Sequence, residues 1–488
     1  MKSLQNALST HCSTRLVEAT VHLAVKRLRQ QTPQGAEIVA PSAWADLAGH
    51  LQQRLSRTLR YLVSGELIVA ATRSKRSHSR DQVFAVSVGI NPSKLSLRQL
   101  FEFLPGAKET IEMVVADWIT AQQRMLVRLR RDWDRLSSIL PQSAKRRLKR
   151  VTPGLSDPHD HGQTVTVLGF TGGSRVVYKP RSCEGEQIWF SALHWLNEEG
   201  FRPTFHIPKL ISRPTYCWMS FVEHRCCDSK QEVREFYLRW GAQAAIAQLL
   251  GCADLHRENW IASGQNPVLV DAEMLGHAFL RSKREPFFDE HLHPLLRTGL
   301  LPLRQSDAVG YYRGIAPFDN ASFRTEKKLF WPVYSGKVER PGKYRDQILE
   351  GFTTALSFLQ RPREKKGFSN FVLLASRRKQ LRVLNRATVQ YYRLLQDSLQ
   401  PQHMQRGGQR LQYLLDRCGR GQLAELEADS LFRCCVPRFT TPVHTDRYQR
   451  SSVPLFRTAL NSRTIFASRL KPGVIQAQRQ PLNRKGYQ

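Results

Sequence analysis

The chain has 488 residues, with 74 Lys and Arg against 41 Asp and Glu, a formal charge of +33. Apolar residues make up 41% of it, enough for a sizeable core, so it is not a disordered polycation, and its length suggests about three domains or one large one with appendages. The sequence holds no apolar run of the roughly 18 residues that a spanning helix needs, and its first residues, MKSLQNALSTHCSTRL, lack the apolar centre of a secretory signal.

Residues 1–150 read as mainly helical. The clearest segment runs from about Ile111 to Leu140, where Val115, Ile119, Leu126, Leu129, Trp133 and Leu136 recur at three- and four-residue steps. Arg124, Arg128, Arg131 and Arg135 decorate its other faces, and the basic run Lys145–Arg150 follows Pro141 as a helix stop. Arg73–Arg80 (RSKRSHSR) reads as a basic polar loop. The texture then turns to β: Thr164–Phe170 and Arg175–Lys179 flank a Thr-Gly-Gly-Ser turn as a hairpin. A helix is expected over Glu186–Asn197, a strand over Tyr216–Val222 and an apolar, Ala-rich helix over Glu232–Leu250. Trp260–Ala262 and Val268–Asp271 form a second hairpin around Gly-Gln-Asn-Pro. The chain from 281 reads as irregular until helices at Arg345–Leu359 and Thr388–Leu399, and ends in a poorly ordered basic tail.

Nine cysteines, two vicinal pairs among them, form neither a disulfide framework nor a C-x-x-C zinc pattern. Zinc is not expected, and a reducing cytoplasm is the expected compartment.

The chemistry-bearing stretch is Asp254-Leu255-His256-Arg257-Glu258-Asn259, followed by Asp271-Ala272-Glu273. Phosphoryl transfer needs a lysine for nucleotide phosphates, an Asp beside the acceptor hydroxyl, and Asn plus carboxylates for Mg²⁺. Asp254 and Asn259 stand five positions apart, as in a kinase catalytic loop, and Lys179 lies on the earlier hairpin. Alone, each piece has a plainer reading: D-x-H-x-x-N as a capped loop, a strand lysine as a solvated side chain. Asp271 and Glu273 are expected on one face of a strand. The order of the pieces favours a kinase-like site. Two more blocks stand apart: Ser156-Asp157-Pro158-His159-Asp160-His161-Gly162, which could be a polar turn, and Arg382…Arg386-Ala387-Thr388…Tyr391, which could be a helix start with solvated arginines.

In this order the blocks resemble the dehydratase domain of class II lanthipeptide synthetases, the LanM family, over roughly residues 110–440. Tyr178-Lys179-Pro180-Arg181, Tyr216-x-Trp218 and Glu427…Val436-Pro437-x-Phe439 add to the likeness. The resemblance implies an α+β, lipid-kinase-like core with helical N- and C-terminal regions. It also implies ATP- and Mg²⁺-dependent phosphorylation of Ser and Thr in a precursor peptide, then phosphate elimination to dehydroalanine or dehydrobutyrine. Position by position, Lys179 would contact nucleotide phosphates, Asp254 would act on the acceptor hydroxyl and His256 would support that loop. Asn259, Asp271 and Glu273 would organise Mg²⁺. Asp157 and His159 would belong to the active site, and Arg382 and Thr388 to elimination. The implied organisation is a helical region over 1–150, the kinase-like core over 151–280, a helical part completing the elimination site over 281–440, and the tail over 441–488.

Ser156, Gln163, Cys217 and Ser220 depart from the family's usual residues without removing a proposed catalytic group. No zinc-dependent cyclase follows Phe439, so dehydration without ring closure is expected, with a separate cyclase as a potential partner. The competing readings are a kinase-like phosphotransferase without elimination, and a nucleic-acid-binding protein suggested by the charge; no nucleic-acid-binding motif supports the latter.

Overall fold

The computed structural model describes residues 2–33, 38–73, 101–102, 104–141, 147–276, 293–302, 316–318, 330–360 and 367–442. The basic stretch at 74–80, most of the irregular region from 281 to 329 and the tail from 443 lie outside them. The elements begin with α1 (Lys2–Gln31), α2 (Pro41–Arg73), α3 (Pro105–Leu136), β1 (Leu148–Thr152), β2 (Thr166–Phe170) and β3 (Arg175–Lys179). They continue through α4 (Glu184–Glu198), β4 (Leu210–Ser212), β5 (Cys217–Ser220), α5 (Lys230–Leu249), β6 (Trp260–Ser263) and β7 (Asn266–Leu269). After α6 (Pro294–Arg297), β8 (Val333–Tyr334) and β9 (Lys337–Val338) come α7 (Arg345–Leu359), α8 (Phe368–Ser376) and β10 (Gln380–Val383). Helices α9 (Thr388–Ser398), α10 (Gln409–Cys418) and α11 (Gln422–Phe432) precede β11 (Phe439–Pro442). Mixed helices and small antiparallel sheets make this an α+β chain, and the chain divides into two discontinuous units.

Unit 1 comprises 1–182, 210–221 and 386–438. Its five-stranded antiparallel sheet has the order β1-β2-β3-β5-β4. The expected hairpin forms, and Gly172 and Gly173 at φ 96° and 87° supply a turn that residues with a Cβ resist. Strand β1 was hidden in the basic run. Leu148 and Val151 are buried while Lys149 and Arg150 are exposed, so two apolar side chains suffice to dock the segment on β2. The long predicted helix is α3, which ends at Leu136. Its buried stripe is wider than the apolar spacing suggests and takes in Asp132, which is fully buried. That carboxylate accepts from Tyr216 Oη at 2.6 Å, Trp218 Nε1 at 2.9 Å and Arg213 Nη2 at 2.5 Å, which holds its carboxyl below the usual range against the cost of burial. Arg128 donates to Tyr178 Oη at 2.6 Å and Arg131 to Tyr216 Oη, so these arginines cover sheet tyrosines rather than only facing water. The Tyr178 and Tyr216-x-Trp218 positions are thus part of the packing between α3 and the sheet.

Unit 2 comprises 183–209, 222–385 and 439–488. Ser229 caps α5 by accepting from Glu232 N at 3.1 Å, and Glu232 Oε2 reaches back to Asp228 N at 2.8 Å. From Trp240 onward α5 is buried throughout, as its apolar, Ala-rich sequence predicts. Its partner α7 crosses in very close contact through two glycines. A Cβ on Gly241 would lie 2.0 Å from Ile348 O, and one on Gly351 1.9 Å from Leu238 O. The second predicted hairpin forms as β6-β7, and α4 carries α8 and β10 beside it. Strand β10 pairs with β11, which places Arg382 on a strand, so the plainer reading of its block as a helix start does not extend to this residue.

Candidate active site

Unit 2 gathers six of the predicted site residues on three segments. The first is the loop after α5, fastened by backbone bonds: Ala253 N to Met274 O at 2.8 Å and Leu255 N to Thr298 O at 2.8 Å. Asp254 sits in this loop with φ 60°, a left-handed conformation that costs a non-glycine residue free energy and that the flanking bonds impose. His256 Nδ1 accepts from Glu258 N at 3.3 Å, which leaves the ring proton on Nε2, the nitrogen 3.7 Å from Asp254 Oδ1. Asn259 Nδ2 donates to the Asp254 carbonyl at 2.7 Å, so its Oδ1 is the atom suited to a cation.

The second segment corrects an expectation. Strand β7 ends at Leu269, so Asp271 and Glu273 are not on a strand. Asp271 Oδ1 accepts from Glu273 N at 3.3 Å, a local turn that withdraws the backbone from the ladder, and the Met274 and Gly276 backbones bond to the Asp254 loop and the end of α5 instead. The third segment is β10. Arg382 is buried, its Nη1 pairs with Glu273 Oε1, and its backbone N donates to Glu273 O at 3.4 Å. Its Nε is buried with no hydrogen-bond partner among the described residues.

The electrostatics follow from this crowding. Burial pushes the Asp254 carboxyl above its ordinary value; His256 and Arg382 oppose the shift, and Asp271 and Glu273 add to it. The Arg382 guanidinium is held above its ordinary value against the cost of burial by Glu273, Asp254 and Asp271. The result is a carboxylate-rich loop with one buried cation whose donor capacity is not exhausted. Among the described residues no group of three or more His, Cys, Asp and Glu stands ready to hold a metal unaided. Fully buried Glu186, on the first turn of α4, was not singled out from sequence; a glutamate among helix-start residues carries no signal of its burial.

Unit 1 holds the other predicted residues. Lys179 is buried at the end of β3, in register with Cys217. Asp157 Oδ1 accepts from Tyr392 Oη at 2.6 Å. His159 Nδ1 donates to Val436 O at 2.7 Å, and Val436 N donates to Pro158 O at 2.8 Å. The block Asp157–Gly162 is therefore more than a polar turn: it is bound to the Val436 segment. Asp160, His161 and Gly162 all adopt positive φ, and the φ of 76° at the last position favours the glycine found there. Thr388 is the first residue of α9, half-buried. Arg386 is not solvated: it donates to Glu427 Oε2 at 3.0 Å and to Cys418 O at 2.7 Å, while Tyr391 Oη donates to the other oxygen of that fully buried carboxylate. Arg382 and Thr388, paired by the sequence reading, belong to different units.

Residues 105–315 and 316–442 match the family described as "Domain of unknown function (DUF4135)". The chain belongs to this family. A DUF4135 chain also finds a curated relative: it is 22% identical over 280 residues to the lacticin 481/lactococcin biosynthesis protein LcnDR2 of Lactococcus lactis subsp. lactis. That match covers 49% of this chain and 30% of the relative, so the chain spans less than a third of the relative's length in the match. Together the two matches support the resemblance to LanM-type lanthipeptide synthetases that the ordered motifs carry. No helix among the described residues is long and apolar enough to cross a membrane.

Proposed function

We propose that this DUF4135 chain dehydrates Ser and Thr of a lanthipeptide precursor, first phosphorylating the hydroxyl from ATP and then eliminating phosphate, on a lipid-kinase-like core in the bacterial cytoplasm. The observation that carries the reading is the convergence of Asp254, His256, Asn259, Asp271, Glu273 and Arg382 in unit 2. Asp254 positions the acceptor hydroxyl and takes its proton, and His256 Nε2 orients that carboxylate. Lys179 contacts the nucleotide phosphates. Asn259 Oδ1, the Asp271 carboxylate and the second oxygen of Glu273 are hard donors that fit Mg²⁺, an ion that takes one or two carboxylates and completes its shell with substrate phosphates. When bound, it neutralises nucleotide phosphate charge.

In the elimination step the Cα–H proton leaves to a base, the C=C bond forms, and the Cβ–O bond breaks with phosphate departing. Arg382, with a buried Nε still able to donate, stabilises the leaving dianion; Thr388 serves the same step. Asp157 and His159 belong to the same chemistry. The test is the product pattern of two variants. Arg382→Ala should accumulate phosphopeptide, and Asp254→Asn should leave peptide and ATP unconsumed. Full dehydration by either variant sinks the assignment, and phosphopeptide from the unmodified chain would favour a kinase without elimination.

A further inference from the structure

Unit 1 contains a cavity of about 130 Å³ beside the segment that carries Asp157. Its wall includes His50, Arg54 and Arg57 of α2, with Ser156, Thr164 and Tyr392. Steps of four and three residues put the first three on one face of the helix. No Asp or Glu is among the described residues that line it. Asp157 is adjacent, but its Oδ1 is engaged by Tyr392 Oη at 2.6 Å. Arg54 is half-buried and gives Nη1 to Gly162 O at 3.2 Å, which leaves its other donors available. Arg57 is exposed and makes no hydrogen bond or ion pair among the described residues. Thr164 Oγ1 accepts from Gly154 N at 2.9 Å and retains its own proton to donate. The uncompensated charge registers on His50, which burial, and then Arg54 and Arg57, push down to about 4. Two guanidiniums facing a cavity with no carboxylate in its described lining form a trap for a tetrahedral oxyanion, because the guanidinium fork matches its oxygens.

We propose that this cavity is a phosphate-binding subsite of unit 1, separate in its residues from the Asp254 cluster, which takes a phosphate group either as the free anion or on a phosphorylated peptide side chain. The site's existence stands on its own geometry; only the source of its phosphate rests on the dehydratase reading. Phosphate released by elimination and the phosphoserine intermediate share the chemistry that the arginines recognise.

Isothermal titration of the full chain with inorganic phosphate, at ionic strength fixed with chloride, tests it. Saturable binding is expected, weakened about tenfold or more by Arg57→Glu and by Arg54→Gln, the loss that one charge-assisted hydrogen bond carries. Arg57→Glu touches an exposed side chain that makes no hydrogen bond or ion pair among the described residues, so its fold should be intact by circular dichroism. Lys149→Glu, an equal charge change on exposed β1, should leave affinity within about twofold. Competition between phosphate and a phosphoserine peptide then identifies the source: displacement assigns the peptide's phosphoryl group to the site, and its absence assigns the free anion. Phosphate binding without saturation, or Lys149→Glu weakening it as much as Arg57→Glu, would overturn the proposal. A chain that binds phosphate here yet never dehydrates a peptide keeps the subsite and loses the dehydratase reading, and the converse pair of results does the opposite.

Discussion

Gly185→Ala is the most informative single substitution away from the charged side chains. Gly185 lies in the first turn of α4, and a Cβ there would meet Ala272 O at 2.2 Å and Glu273 Cα at 2.9 Å. Ordinary contact begins near 3.4 Å, so the backbone carrying Asp271-Ala272-Glu273 must retreat by about 1.2 Å. Two bonds tie that backbone to its neighbours: Arg382 N to Glu273 O, and Met274 O to Ala253 N beside Asp254. A methyl group forced into such a contact costs about 1–3 kcal/mol of stability. A shift of about 1 Å in reacting groups can cost about 100-fold in rate. The expected result is a chain that folds with a modestly lower melting temperature but loses about 100-fold in kcat for ATP-dependent modification of a Ser/Thr peptide. Because the shift falls on the Asp271–Glu273 segment and spares Lys179, kcat should suffer more than the KM for ATP. Full activity with unaltered melting would refute the view that these backbones touch.

Three further outcomes follow from the same geometry. His50 accepts from Trp118 Nε1 at 3.2 Å through Nδ1, and its folded value of about 4 lies below the ordinary 6.5, so its stabilisation is complete above pH 6.5 and is lost as pH falls toward 4. The loss is about 3 kcal/mol, and denaturant titrations of His50→Gln should be flatter than those of the parent across that window; parallel curves would contradict it. Arg410 is buried, and among the described residues its bonds reach Ser398 Oγ, Thr110 Oγ1, Leu431 O, Phe432 O and Cys434 Sγ but no carboxylate. It therefore acts as a cap on the end of α11. Arg410→Met should cost about 2–4 kcal/mol and raise hydrogen exchange over 398–436, with protection unchanged if the bonds are incidental. Gly351→Ala, which would put a methyl 1.9 Å from Leu238 O, should part α5 from α7 and lower the melting of unit 2; an unchanged transition would contradict the close crossing.

Much of the helical framework was legible because periodicity is a local property. The segment expected from about Ile111 to Leu140 is a helix over Pro105–Leu136, the apolar Glu232–Leu250 segment maps to a helix within a few residues, and Arg345–Leu359 maps to α7 residue for residue. Strand β1 was not legible, since its two inward side chains sit in a basic run, and β10 and β11 are short strands whose partners lie far apart in the chain. Burial of Asp132 depends on Arg213, Tyr216 and Trp218, more than eighty positions away. The site divides in the same way. The Asp254-x-His256-x-x-Asn259 loop and the following acids could be read from their order. That Arg382 joins them came from the family resemblance and not from any local pattern. The partners of Asp157 and His159 lie 235 and 277 positions away, on α9 and beyond α11, where no spacing announces them.

One chain is proposed to carry both phosphorylation and elimination. Its most direct test is intact-mass spectrometry of a precursor peptide bearing a leader and a Ser/Thr-containing core, after incubation with the full chain, ATP and Mg²⁺. Loss of one water for each modified residue is expected, with ATP consumed and phosphorylated species appearing only transiently. A peptide that leaves the reaction unchanged, or that keeps its phosphate through prolonged incubation, would contradict it.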